Sequence, residues 1–241
     1  IDGLTVTGGD GVDTITLGDA GIVANDNIFV SGNDGNDTLT GTSVAVTEIT
    51  IAGGQGNDTI ATGAGVSTVI GGVGNDAMTA GAAINTFQYT AQGQGGDLAS
   101  ATATTAIAAA DTIAAFSRTA EVDLIEFDAS ETLVGSSSTA TAGAQNSWNL
   151  NNTGVFVNTT AAAFVAGTTT VATIAAAIGT VTGDAGDIAY AAIDSGLVTN
   201  IFQVTLGTDK AAAALNAGDQ IGIIASVTSD DFIGTANFNF I

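Results

Sequence analysis

The sequence predicts an all-β fold: a parallel β-roll, or β-solenoid, followed by a Thr/Ala-rich β domain with one short helix. Three observations carry that expectation. A nine-residue pattern recurs through residues 8–88. Glycine is abundant, at 33 of 241 residues, while proline is absent, so the glycines hold a specific backbone shape rather than ordinary loops. The remainder alternates short Val/Ile/Phe runs with Thr and Ala; with 45% apolar residues and a mean hydropathy of +0.41, the composition argues against disorder.

The repeat comes first. Four segments share one pattern: Gly8-Gly9-Asp10-Gly11-Val12-Asp13-Thr14-Ile15, Gly32-Asn33-Asp34-Gly35-Asn36-Asp37-Thr38-Leu39, Gly53-Gly54-Gln55-Gly56-Asn57-Asp58-Thr59-Ile60 and Gly71-Gly72-Val73-Gly74-Asn75-Asp76-Ala77-Met78. The pattern is G-G-x-G-x-D-x-U-x, with U a large apolar residue. Weaker copies lie between: Gly21–Phe29 with Asp26, Ser43–Ile51 with Glu48, Thr62–Ile70 with Ser67 and Ala80–Gln88 with Asn85 in the acidic slot. The starts step by 13, 11, 11, 10, 9, 9 and 9 residues, loose at first and strict from Gly53 onward.

Each nonamer supplies a Gly-rich turn and a three-residue strand whose middle residue points into the core. Two nonamers make one coil, so turns alternate between two edges, with all four strong motifs on one edge and the degraded ones on the other. Calcium wants six to eight oxygen ligands at ~2.3–2.6 Å, and carbonyls and Asp side chains of stacked turns can converge to supply them. The strong edge, with Asp13, Asp37, Asp58 and Asp76, is expected to hold a row of about three ions between its turns. Asp10 and Asp34 belong to the same turns. The opposite edge should bind calcium weakly or only near Asp26, with Ser67 and Asn85 as structural turn residues. Charge supports the split: residues 1–97 hold eleven acidic and no basic residues, and like charges stacked ~4.8 Å apart repel without cations.

These repeats resemble the RTX family of calcium-dependent proteins exported by Gram-negative type I secretion. The next segment adds to the resemblance. Asp111-Thr112-Ile113-Ala114-Ala115-Phe116 and Val122-Asp123-Leu124-Ile125-Glu126-Phe127 are similar to the D-x-I-x-D-F…D-x-I-D-L module that closes many RTX rolls. Ala115 replaces the second Asp, which removes a ligand from any ion site carried over. Asp97, Asp111 and Asp123 remain candidates, beside the reading that they are solvated loop acids. The expected organisation is a roll at 1–97, a closing module at 98–128 and a β domain at 129–241.

In that last part, Trp148 to Val157, Ile188 to Ile193, Ile201 to Leu206 and Ile221 to Val227 read as strands. Val171 to Ile178 reads as a helix, with Thr170 as N-cap, Val171, Ile174 and Ile178 at helical spacing and Gly179 past its end. An Ala-rich link precedes Leu215-Asn216-Ala217-Gly218-Asp219. Asp230-Asp231-Phe232-Ile233 to Phe240-Ile241 resembles the acidic–apolar tail that type I exporters use as an uncleaved signal.

Composition closes several function classes. A net charge of −22, with Arg118 and Lys210 the two basic residues, excludes nucleic acid and anionic lipid as electrostatic partners. Without His or Cys there are no zinc sites, disulfides, thiol chemistry or Ser-His-Asp triads. A Gly-x-Ser-x-Gly elbow is absent. Carboxylate groups such as Glu121/Asp123/Glu126 or Asp230/Asp231 read as solvated or ion-bound acids rather than catalytic pairs. The most apolar uncharged run, Ala161 to Gly179, is too weakly apolar for a transmembrane segment. Ile1 reads as the start of a fragment or processed form.

The arrangement is similar to the C-terminal part of RTX surface-layer proteins. That resemblance implies a non-enzymatic extracellular protein that folds on calcium and self-assembles into a surface layer or filament. Its partners would be copies of itself, a type I exporter during secretion and a cell-surface polysaccharide anchor. The alternative is a C-terminal secretion and folding module of a larger RTX enzyme or adhesin.

Overall fold

The structure is a computed structural model. It describes residues 3–24, 26–45, 48–90, 94–95, 99–104, 106, 110–117, 122–127, 140–142, 147–149, 155–158, 168–194, 198–229 and 237–240. Nine strands build a roll of about four turns: β1 (Leu4–Thr7), β2 (Thr14–Thr16), β3 (Asn27–Asp34), β4 (Thr38–Thr40), β5 (Glu48–Gln55), β6 (Thr59–Ala61), β7 (Ser67–Val73), β8 (Ala77–Thr79) and β9 (Asn85–Tyr89). Odd and even strands form opposite walls, each parallel throughout this region. The three-residue strands are the U-bearing ends of the strong motifs, with Thr or Ala outward and the apolar residue inward. Leu39 and Ile60 are fully buried, facing an equally buried Ile49, Ile51 and Val69. The facing strands are longer, up to eight residues, because each runs on into the next Gly-rich turn.

Register on the wall of longer strands departs from the motif count. Val30, Ile51, Val69 and Phe87 form one row, and Ile28, Ile49, Ser67 and Asn85 the next. Relative to Ser67 and Asn85, Asp26 therefore lies two residues early and Glu48, beside Asn27, one residue early. The longer connections after β2 and β4 thus displace β3 by two residues and β5 by one. The two-residue slip keeps the faces of β3, while the one-residue offset of β5 sets Ile49 and Ile51 inward and Glu48 outward.

The roll continues through β11 (Asp111–Phe116) and β12 (Leu124–Phe127), which pair in parallel with β8 and β9; β10 (Ala99–Ser100) lies off this path. The later strands are β13 (Ala140–Ala142), β14 (Ser147–Asn149), β15 (Val155–Asn158), β16 (Thr180–Gly183), β17 (Ile188–Asp194), β18 (Val198–Thr205), β19 (Lys210–Ala214), β20 (Gln220–Ser229) and β21 (Phe238–Phe240). Most join the same walls: β21 pairs with β12, while β20 pairs with β11 and leads on to β18, β17, β15 and β13; β14, β16 and β19 form a separate three-stranded sheet. Phe127, stacked on Tyr190 at 3.8 Å between centroids, packs the junction with Tyr89 and Phe238.

The helix α1 spans Val171–Ile178 as its spacing predicts, with the Thr170 hydroxyl accepting from Thr173 N. Its buried Val171, Ile174 and Ile178 share a second core with Ala189, Ala191, Ile193, Phe202 and Val204. Alternate residues of β17, Tyr190 and Ala192, face the roll core instead. Both faces of this sheet are thus covered.

Two expectations need correcting. Trp148 to Val157 is two strands, β14 and β15, in different sheets, with residues 150–154 outside those described. The Ala-rich link contains a strand, β19, antiparallel to an unexpected β16. Of the acidic tail, residues 230–236 lie outside the described residues, as do Arg118, Glu121 and Asp97. No helix among the described residues is long and apolar enough to cross a membrane.

Candidate metal centre

The strong turns stack along one edge, and their sixth residues form a ladder. Asp13 N donates to Asp37 Oδ1 at 2.7 Å; Asp37 N to Asp58 Oδ1, Asp58 N to Asp76 Oδ1 and Asp76 N to Asp111 Oδ1 each at 2.8 Å. Asp13 begins the ladder, its Oδ2 accepting from Gly9 N at 2.7 Å; in Asp37, Asp58 and Asp76 one oxygen serves the fold. The other is different. Oδ2 of Asp37, Asp58 and Asp76 is buried and has no hydrogen-bond partner. A carboxylate oxygen held out of water without a donor costs free energy that a cation would return.

The glycines explain where that oxygen points. A Cβ on Gly32 would run into Asp37 Oδ2 and the Gly53 carbonyl; on Gly53, into Asp58 Oδ2 and the Gly71 carbonyl; on Gly8, into Asp13 Oδ2 and the Gly32 carbonyl. Three gaps between turns are thus lined by a carboxylate oxygen from one turn and a main-chain carbonyl from the next. At Gly71 a Cβ would again meet Asp76 Oδ2. The fourth motif position is as constrained: Gly56 has φ of 122°, and a Cβ there would strike the Gly35 carbonyl. Gly11, Gly35 and Gly74 adopt the same positive φ, as do Gly54 and Gly72 at the second position, where Gly9 lies exposed.

The donor set is hard oxygen only, which suits calcium. No group of three or more acidic side chains converges among the described residues, so an ion here would draw most of its ligands from carbonyls. Asp13, Asp37, Asp58 and Asp76, with the carbonyls of the first glycines, are the residues that would hold it; when bound, calcium supplies the positive charge the row lacks. Burial raises the Asp58 carboxyl, opposed by the hydrogen bond from Asp37 N and reinforced by the Asp37 charge. Burial likewise pushes Asp76 up to about 6 and Asp111 up to about 7. A row of acids that resists ionising is the expected state of a cation site considered without its cation.

The other sequence candidates sit apart. Asp10 and Asp34 are exposed neighbours, and Asp34 accepts from Gln55 Nε2 at 2.8 Å. Asp26 lies on the opposite edge, its Oδ2 accepting from Val23 N at 2.9 Å. Asp111 ends the strong ladder with both oxygens occupied, the second by Tyr89 OH at 3.1 Å. Asp123 lies on the opposite edge, accepting from Asn85 N, Asn85 Nδ2 and Ser117 N. Asn85 also donates to the carbonyls of Gly81 and Ala83, and the Ser67 hydroxyl donates to the Gly65 carbonyl. Sequence reasoning missed a second ladder beside the first: Asn57 N donates to Asn36 Oδ1 and Asn75 N to Asn57 Oδ1, at 2.8 and 2.9 Å. Its signal was present, since Asn recurs at the fifth position of three motifs.

No curated protein matches the chain. A family model for the RTX calcium-binding nonapeptide repeat, in four copies, matches residues 29–43 and 52–87. The first strong motif, Gly8 to Ile15, lies outside that match, yet its strand pairs in register with β4 and its Asp13 joins the ladder. The N-terminal region of this chain carries RTX nonapeptide repeats, which are calcium-binding.

Proposed function

We propose that this is a structural extracellular protein, exported by a type I system, whose roll folds on calcium and which then assembles with copies of itself into a surface layer or filament. The buried, unpartnered Oδ2 atoms of Asp37, Asp58 and Asp76, each aimed between turns, carry this reading. Without a cation they leave a stack of acids in low dielectric, and the three-residue strands beside them bury little surface of their own. Binding free energy then becomes folding free energy. Cytosolic calcium would leave the chain unfolded and exportable, whereas millimolar calcium outside the cell would fold it. RTX proteins are typically secreted, and the β-roll is typical of structural or binding modules, which favours a non-catalytic role.

The test is circular dichroism of the full chain at neutral pH, in EDTA and then in millimolar calcium. Calcium should produce a large gain in β signal and a cooperative thermal transition. A spectrum already complete in EDTA and indifferent to calcium overturns the proposal.

A further inference from the structure

Among the described residues, four buried carboxylate oxygens lack a hydrogen-bond partner. Three are the repeat's Asp37, Asp58 and Asp76; the fourth is Oδ1 of Asp187, far from the repeats in sequence and 2% exposed. Asp187 closes a tight turn between β16 and β17: Asp184 N donates to Asp187 Oδ2 at 2.7 Å, and Asp187 N to the Asp184 carbonyl at 3.0 Å.

A sibling turn shows what this one lacks. Between β19 and β20, Asn216 N donates to Asp219 Oδ2 at 2.7 Å and Asp219 N to the Asn216 carbonyl at 3.0 Å. There the buried carboxylate is neutralised: Lys210 Nζ lies 3.0 Å from Asp219 Oδ2, and Gly207 N donates to Oδ1 at 3.0 Å. One loop serves both turns. Leu206 O accepts from Gly186 N while Gly207 N reaches Asp219. The next residues then part: Lys210 carries an ammonium to Asp219, whereas Asp209 brings a further carboxylate to the other turn, accepting from Ala185 N at 2.9 Å. Asp187 thus has two acids, Asp184 and Asp209, where its sibling has a lysine.

We infer that the Asp184–Asp187 turn, with Asp209, binds a calcium ion outside the repeats, the ion doing there what Lys210 does at Asp219. Asp187 Oδ1 supplies the buried ligand and the exposed Asp184 and Asp209 supply charge. Main-chain carbonyls and water complete an all-oxygen shell, which a chain without His or Cys must in any case offer. The site would pin the loop joining β18 to β19 against the β16–β17 turn.

Calcium stoichiometry of the full chain by equilibrium dialysis tests this, comparing wild type with Asp187→Asn, Asp209→Asn and the repeat variant Asp58→Asn. The exposed Asp209→Asn guards against loss of fold at the buried position. Either second-half variant should bind one ion fewer than wild type while keeping its β spectrum in calcium. Loss from Asp58→Asn should add to that loss. Full stoichiometry in Asp209→Asn and in every folded Asp187→Asn sample overturns the inference and leaves the repeat reading intact. A chain whose ions depend on Asp187 and Asp209 but never on Asp58 upholds it and overturns the repeat reading.

Discussion

Asp37, Asp58 and Asp76 each divide a carboxylate between two tasks, and that division makes their replacement informative. Asp58 Oδ1 accepts from Asp37 N, so Asp58→Ala removes both a rung of the ladder and the anionic ligand of a gap. Losing a charge-assisted contact costs about 1.5–3 kcal/mol, or roughly ten- to a hundredfold in the calcium midpoint of folding. Ser67→Ala deletes only a hydroxyl that donates to a nearby carbonyl, and should shift that midpoint less than about threefold. Calcium titrations followed by circular dichroism compare the two, and equal shifts would show that the edges are not distinct. Protons should partly replace the cation. Burial raises Asp76 to about 6 and Asp111 to about 7, so the calcium-free folded state holds protons more tightly than the unfolded chain. That stability is complete below the ordinary carboxylate range and is lost as pH rises through about 6 to 7. In EDTA, lowering the pH from about 8 to about 5 should therefore restore part of the β signal, and a further loss instead would show that these acids are not buried. The sixth-position acids were legible from spacing alone. The pairing of each carboxylate with the neighbouring turn's N–H was not, because a nonapeptide count carries no register.

Among the elements, legibility followed burial. The three-residue strands were readable because one apolar residue between two threonines or alanines can satisfy only one geometry, with U inward. Leu39, fully buried between the walls, should cost about 2–5 kcal/mol on truncation to Ala. Val73, 60% exposed at a turn, should cost less than about 0.5 kcal/mol. Urea unfolding in saturating calcium measures both, and a mild Leu39→Ala would mean that the walls do not share one core. The helix was equally legible, since cap, apolar spacing and terminal glycine agree. β19 was not. Its Lys-Ala-Ala-Ala-Ala sequence has low strand propensity and mostly exposed side chains, and only antiparallel pairing with β16 makes it a strand. The two-residue slip of β3 was hidden for a related reason: alternation is blind to even shifts.

At the scale of the whole molecule, charge decides between a folded monomer and an assembly. The chain carries −22, and a calcium ion in each of the three gaps cancels only two charges apiece, leaving a strongly acidic particle that repels its copies. On the proposed assembly, growth of a layer would need more calcium than folding does, with further ions bridging acidic loops on neighbouring subunits. Two calcium thresholds should follow, a lower one for β signal and a higher one for light scattering. Negative-stain microscopy above the second should show sheets or filaments that dissolve in EDTA. A folded chain that stays monomeric at about 10 mM calcium, well above the weakest extracellular calcium sites, would refute assembly and favour the secretion and folding module of a larger protein.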